Sequence, residues 1–252
     1  MKQKKNWRKY LLKLAIDTAT DALSVALTRD NSVLGESTLD AERRHLELLL
    51  PEIHGILSAA GCRVRDINAI VVGTGPGTFS GLRVGIATAR GLAQALEIPL
   101  RGSSTLKAQA MGIADRNCKP GDFILPVIDA KRGQVFSQLY RMEGGGVVTP
   151  ESDVSCIGPS SLVKNIESAG KVVLAAGNGA LAYYDLFNAS KLINLPASDN
   201  GCHKVRAVFH FLFAEEDKSF KTANMMAVLP AYIREPDADM TVLERKKKTW
   251  LK

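Results

Sequence analysis

The sequence predicts an α/β protein of two similarly built halves, each a mixed sheet flanked by helices. Residues 11–115 follow the order β-β-β-α-β-α, and residues 116–235 repeat it. Between them lies a polar break with Pro and Gly, ADRNCKPGD at 114–122. The duplication is one of pattern, because no repeat is visible residue by residue.

In the first half, Leu11–Thr18 and Ala22–Arg29 are apolar, β-favouring runs joined at Ala19–Asp21, a hairpin. Ser32–Leu39 follows the Asp30-Asn31 turn as a third strand. From Ala41 to Ala60 the period lengthens. Leu46, Leu49, Leu50, Ile53, Ile56, Leu57 and Ala60 keep the i, i+3, i+4 spacing of an amphipathic helix. Pro51 lies within it and is expected to kink it, since it lacks the backbone donor and crowds the preceding turn. Asn68–Gly73 is apolar enough for a strand buried on both faces. A glycine-rich loop leads to the helix Ser80–Glu97, with Ser80 as its N-cap. The strand Ile98–Gly102 and the helix Ser104–Ile113 close the half.

In the second half, Phe123–Asp129 and Gln134–Tyr140 pair, and the turn Glu143–Gly146 leads to Val147–Thr149, where a third strand starts. The helix Ser160–Ala169, the strand Lys171–Ala175 and a helix from Asn178 follow. Helical patterns at His203–Asp217 and Thr222–Val228 and a strand at Ala231–Arg234 end the fold.

The 252 residues carry a formal charge of +7, unevenly spread. Residues 1–13 hold six basic side chains and no acid, and residues 236–252 a net +2, which leaves 14–235 at −1. The organisation is therefore a basic extension (1–10), two halves (11–115 and 116–235) and a basic tail (236–252). Such ends are either solvated or phosphate-binding arms. The N-terminus has no secretory pattern, because Asp17 interrupts the apolar run, and no stretch is long and apolar enough to span a membrane. Cys62, Cys118, Cys156 and Cys202 are widely spaced, arguing against zinc or a disulfide framework and for a cytoplasmic location.

The segment most able to carry chemistry is GTGPGTFSGLR at 73–83. After a buried strand and before a helix, its backbone N–H groups can hold an anion; equally, its glycines suit a tight turn. Neither common nucleotide-binding glycine motif is present. Gly81, Gly85 and Ala89 leave one helix face bare, for an internal or a partner helix. The turn Asp17–Asp21 could take phosphate and Mg²⁺, or be a plain polar hairpin. No metal site assembles from the histidines. His45 and His54 fall about 180° apart on a helix, and His203 and His210 about 10 Å apart along one. His45, beside Arg43, Arg44 and Glu47, is expected at the surface.

LAIDTAT at 14–20, RRHLELLLPEI at 43–53 and GTGPGTFSGLRVGIATARGLA at 73–93 together resemble the TsaB (YeaZ) family of tRNA threonylcarbamoyladenosine biosynthesis proteins. VIDAKRGQVFSQLY at 127–140, GNGA at 177–180 and YIR at 232–234 extend the resemblance. It implies an actin/Hsp70-like (ASKHA) fold of two ribonuclease-H-like halves. It also implies a non-catalytic partner of the transferase TsaD, working with the ATPase TsaE and touching tRNA indirectly or through its basic tails. An H-x-x-x-H metal motif of the catalytic paralogue falls here on Thr105 and Gln109, which cannot replace two imidazoles on a metal.

The resemblance further implies association, with TsaD or as a homodimer, through the helices 41–60 and 80–97. That makes His45, Leu46, Leu49, Leu50, Ile53, Gly81, Gly85 and Ala89 interface candidates. ATP or ADP is implied at the subunit boundary rather than on the chain alone. Asp17, Thr18, Gly75, Gly77, Thr78, Gly81 and Arg83 are the candidates to line it. Two features depart from the family pattern: the basic residues before the first strand, and GNGA for GDGA, which removes a carboxylate at Asn178. The alternative reading is a metal- or ATP-dependent enzyme of the same superfamily, a peptidase or a kinase-like protein.

Overall fold

β1 (Leu12–Asp17) is the centre of the first sheet, and all six of its residues are buried. It pairs antiparallel with β2 (Ala22–Arg29) and parallel with β4 (Ala69–Gly73). With β3 (Ser32–Asp40) and β5 (Leu100–Ser103) at the edges, the order is β3-β2-β1-β4-β5. The computed structural model describes residues 11–30, 32–115, 118–143, 147–211 and 227–233.

Strand alternation divides the duties of the two faces. Leu12, Leu14 and Ile16 point into a core closed by α1 (His45–Ala59) and α2 (Phe79–Leu96) through Leu49, Ile53, Leu57, Ile86 and Ala89. On the other face the small side chains Ala15 and Ala26 make room for residues 207–211, whose Ala207 and Phe211 pack on them.

The second sheet has β6 (Phe123–Lys131) at its centre and the order β10-β7-β6-β11-β12. β7 (Gln134–Ser137) and β8 (Tyr140–Met142) both lie along one edge of β6, and β9 (Val148–Pro150) and β10 (Ser155–Ile157) lie outside them. β11 (Val173–Ala176) and β12 (Ile193–Asn194) run parallel on the other edge. Each sheet thus places its strands third, second, first, fourth, fifth, the ribonuclease-H-like order. The chain has the actin/Hsp70-like fold.

α3 (Thr105–Ala114) covers one face of the second sheet, against Ile124, Ile128 and Phe136. α4 (Pro159–Ala169), α5 (Asn178–Ala182) and α6 (Tyr184–Asn188) cover the other, against Leu125, Val127 and Val135. The sheets are therefore joined by exchange. α3 leaves the first to pack on the second, and residues 207–211 return from the second to the first. No helix among the described residues is long and apolar enough to cross a membrane.

Several expectations need correction. α1 begins at His45 rather than Ala41, because Glu42 and Arg43 have φ of 45° and 76°, which no right-handed helix accepts. It runs through Pro51 without a break. The N-cap of α2 is Thr78 rather than Ser80, and its N–H donates to Ala19 O at 2.7 Å. The strand expected at Gln134–Tyr140 is interrupted at Gln138-Leu139. The third strand that starts at Val148 is likewise broken before it resumes at Ser155. Around His203 and His210 there are two short 3-10 turns rather than one helix, and residues 212–217 of the helix expected at His203–Asp217 lie outside the described residues. Residues 231–233 form no strand. The extension 1–10, the tail 236–252 and the helix expected at Thr222–Val228, except its last two residues, lie outside the described residues.

α2 lies so close to the turn after β1 that a Cβ on Gly81 would stand 2.1 Å from Thr18 O. Gly81→Ala should therefore destabilise the chain by about 1–3 kcal/mol, as overpacked cores do, read as a lower urea midpoint at unchanged slope. Gly91, with nothing near its Cβ position, should accept Ala without loss.

Candidate functional site

The end of β1 carries a buried, multiply hydrogen-bonded carboxylate. Asp17, 1% exposed, accepts from the Ala19 N–H through Oδ1 at 2.9 Å. Its Oδ2 accepts from Thr105 Oγ1 at 2.8 Å and faces His210 Nε2 at 2.9 Å. Directions follow from donors. The Gly75 N–H donates to Thr105 Oγ1 at 3.2 Å, so the Thr105 hydroxyl proton goes to Asp17. A carboxylate only accepts, so His210 carries its proton on Nε2, and its Nδ1 meets Ser103 Oγ at 2.9 Å.

Ser103, His210 and Asp17 are the residue types of a hydrolase triad, and all three are buried. The network satisfies a carboxyl that would be costly to bury alone. Gly73 makes it possible, since a Cβ there would stand 2.0 Å from Asp17 Oδ2.

The glycine-rich segment wraps the same turn. A Cβ at Gly77 would meet Ala19 O at 2.2 Å, and one at Gly85 would meet Thr18 Oγ1 at 2.3 Å, while Thr18 Oγ1 donates to Gly81 O at 2.7 Å. Asp17, Thr18, Gly75, Gly77, Thr78 and Gly81 are thus brought together, locked onto one another. Arg83 alone of that set is exposed, its guanidinium carbon 3.7 Å from the Phe79 ring centroid.

The interface candidates divide. Leu49, Ile53, Gly81, Gly85 and Ala89 lie in the chain's own core. Leu46 and Leu50 stand outside, 75% and 55% exposed. His45 is a correction. It is buried, because its Nε2 donates to Thr20 O at 2.9 Å and ties the start of α1 to the hairpin turn.

A cleft of about 380 Å³ lies between the halves, lined by Thr20, Asp21 and Asp40 from the first and Asn178, His203 and Lys204 from the second. Ion pairs cross it. Lys131 Nζ bonds Asp21 at 3.1 Å and Asp129 at 3.0 Å, and Lys204 Nζ bonds Asp40 at 2.8 Å. Beside it, Arg206 forks onto Glu36 at 3.2 and 2.6 Å, and that bond raises the guanidinium's pKa further. Asn178 accepts the Asp129 N–H through Oδ1 at 3.0 Å.

Thr105 and Gln109 also find structural partners. Gln109 Nε2 donates to His203 O at 3.3 Å, while His203 Nδ1 accepts the Gly177 N–H at 3.2 Å. Among the described residues no three His, Cys, Asp or Glu side chains gather as metal ligands. Burial, then Asp122 and Cys202, push the Cys118 thiol up to about 11, too high for a nucleophile at neutral pH. Sequence reasoning had marked Asp17 but not His210, which is 193 positions away and carries no local signal.

Three comparisons bear on this site. Residues 37–154 match the family model of TsaD, tRNA N6-adenosine threonylcarbamoyltransferase. The tRNA threonylcarbamoyladenosine biosynthesis protein TsaB of Escherichia coli is 36% identical over 71% of this chain and 77% of its own. That of Bacillus subtilis is 28% identical over 93% and 99%. A Pseudomonas aeruginosa crystal structure, described as similar to peptidase YEAZ, superposes with a TM-score of 0.74 at 26% identity, covering 89% of this chain and all of that one.

The Asp17 network predicts strong coupling. Asp17→Ala and His210→Ala should each cost about 3 kcal/mol, since each leaves a buried polar partner unsatisfied. The double variant should cost clearly less than the sum of the two in a urea-unfolding cycle.

Proposed function

From its membership of the TsaB family of tRNA threonylcarbamoyladenosine biosynthesis proteins, to which this chain belongs, we propose that it is the non-catalytic subunit that binds and supports a TsaD-like transferase. One observation carries the reading: Leu46 and Leu50 project from α1 into solvent while the next turns of the helix, Leu49 and Ile53, fill the core. An apolar pair held outward on a helix is the kind of surface a protein partner covers. Beside it α2 turns outward Ala87 and Gly91, which allow a second helix to come close.

The internal bonding of the site's polar side chains supports the same reading. Thr105 and Gln109 stand where the catalytic paralogue is expected to hold its metal, and both are engaged in internal hydrogen bonds. The Asp17 carboxylate is likewise occupied. The transferase then supplies the reacting groups, and this chain supplies a shaped surface. A TsaE-like ATPase joins the assembly, with ATP or ADP at the subunit boundary, and two copies of this chain pair through the same helices when the transferase is absent.

Leu46→Glu with Leu50→Glu tests this directly, because neither side chain supports the core. Co-purification and calorimetry with the cognate TsaD should show a complex for the native chain and a loss of about a hundredfold or more in affinity for the variant. No complex between native chains at micromolar concentration would overturn the reading.

A further inference from the structure

A second exposed cluster lies at the start of α2, away from the leucines of α1. Phe79 and Tyr232 are 53% and 48% exposed, with ring centroids 5.4 Å apart and planes 31° from parallel. Arg83 spans them. Its guanidinium lies over the Phe79 ring, and its Nε–H donates to the Tyr232 hydroxyl at 3.3 Å. The strap that delivers Tyr232 is fixed on both sides. Val228 is buried in the first core, its carbonyl accepts from Arg90, and the Ala231 N–H donates to Thr74 O at 2.8 Å. Two large rings are thus held half open to water on a fixed support.

We propose that Phe79, Tyr232 and Arg83 form a platform on which an unpaired base of RNA stacks. The inference rests on the proposed place of this chain in tRNA modification, which brings an RNA loop to it. Three physical features favour a nucleic-acid base over a protein side chain. The cluster is π-rich with a guanidinium over one ring, the combination that single-stranded sites use without needing a particular base. The described chain ends at Ile233, next to the platform, and the sequence that continues from it carries Arg234 and the run Arg245-Lys246-Lys247-Lys248. Lysine runs neutralise phosphates, whereas lysine is depleted in protein interfaces.

The experiment is fluorescence anisotropy with the full chain and a labelled anticodon stem-loop, with a blunt RNA duplex as the second probe, over a series of salt concentrations. Native protein should prefer the stem-loop. F79L with Y232L, which keeps apolar bulk and removes the rings, should lose at least about tenfold in stem-loop affinity with an unchanged salt slope. Lys246, Lys247 and Lys248 changed together to Gln should instead flatten the salt slope. A thermal melt shows whether each variant is folded, and Y232L alone provides a milder second measurement. Equal affinity for stem-loop and duplex, or unchanged stem-loop affinity in folded F79L/Y232L, overturns the platform. If that variant loses TsaD and keeps RNA, the cluster is a protein contact and the platform falls while the scaffold reading stands. Stem-loop stacking without any TsaD complex would sink the scaffold reading alone.

Discussion

One carboxylate organises the joint between the two halves. Asp17 ends the central strand of the first sheet, and its two oxygens collect a turn N–H, the first residue of α3 and a histidine from the returning segment. Those partners belong to the elements that the sheets exchange. Burying an unpartnered carboxylate is far costlier than any single contact here is worth, so the three elements must arrive together. The exchange of α3 for residues 207–211 is held at that point, and the ion pairs across the cleft add a weaker, solvent-screened tie.

Around this carboxylate the glycine-rich segment has a structural explanation. Gly73 leaves space for the Asp17 oxygen, Gly77 for the Ala19 carbonyl and Gly81 for the Thr18 carbonyl. Strand-to-helix glycine loops that cradle phosphate use the same freedom to bring backbone near a ligand. Here the backbone is brought near the chain's own first hairpin turn. Part of the motif's role is thus close packing within the chain itself.

Much of the architecture was legible because it is local. Alternation and the 3.6 period located most strands and helices, and the repeated order showed through although no residues repeat. Register breaks were not legible, since Gln138 and Leu139 look like any strand residues and only the pairing with β6 shows where the strand stops. The period of the helix faces is legible, while the neighbour that each face meets is not. Gly81, Gly85 and Ala89 were seen as a bare stripe, but which side of α2 meets the sheet depends on Thr18, far away in sequence. His45 deceived for a related reason: its neighbours Arg43, Arg44 and Glu47 are charged, yet Thr20 O provides a buried partner that no local pattern reveals. Asp17 was marked by its motif, while His210 and Ser103 could be found only in three dimensions.

The charge distribution gains meaning once the faces of the first sheet are assigned. Residues 14–235 sum to −1, so the folded body offers no field that would gather tRNA by itself. One sheet face is sealed by the returning segment, and the helices on the other expose leucines and small residues rather than lysines. A surface of that kind suits a protein partner. Sequence beyond Ile233 carries the basic run, and Ile233 adjoins the exposed rings of Phe79 and Tyr232. The proposed stacking platform therefore draws on rings at the start of α2, and the charge that would attract phosphate is carried by sequence that follows Ile233.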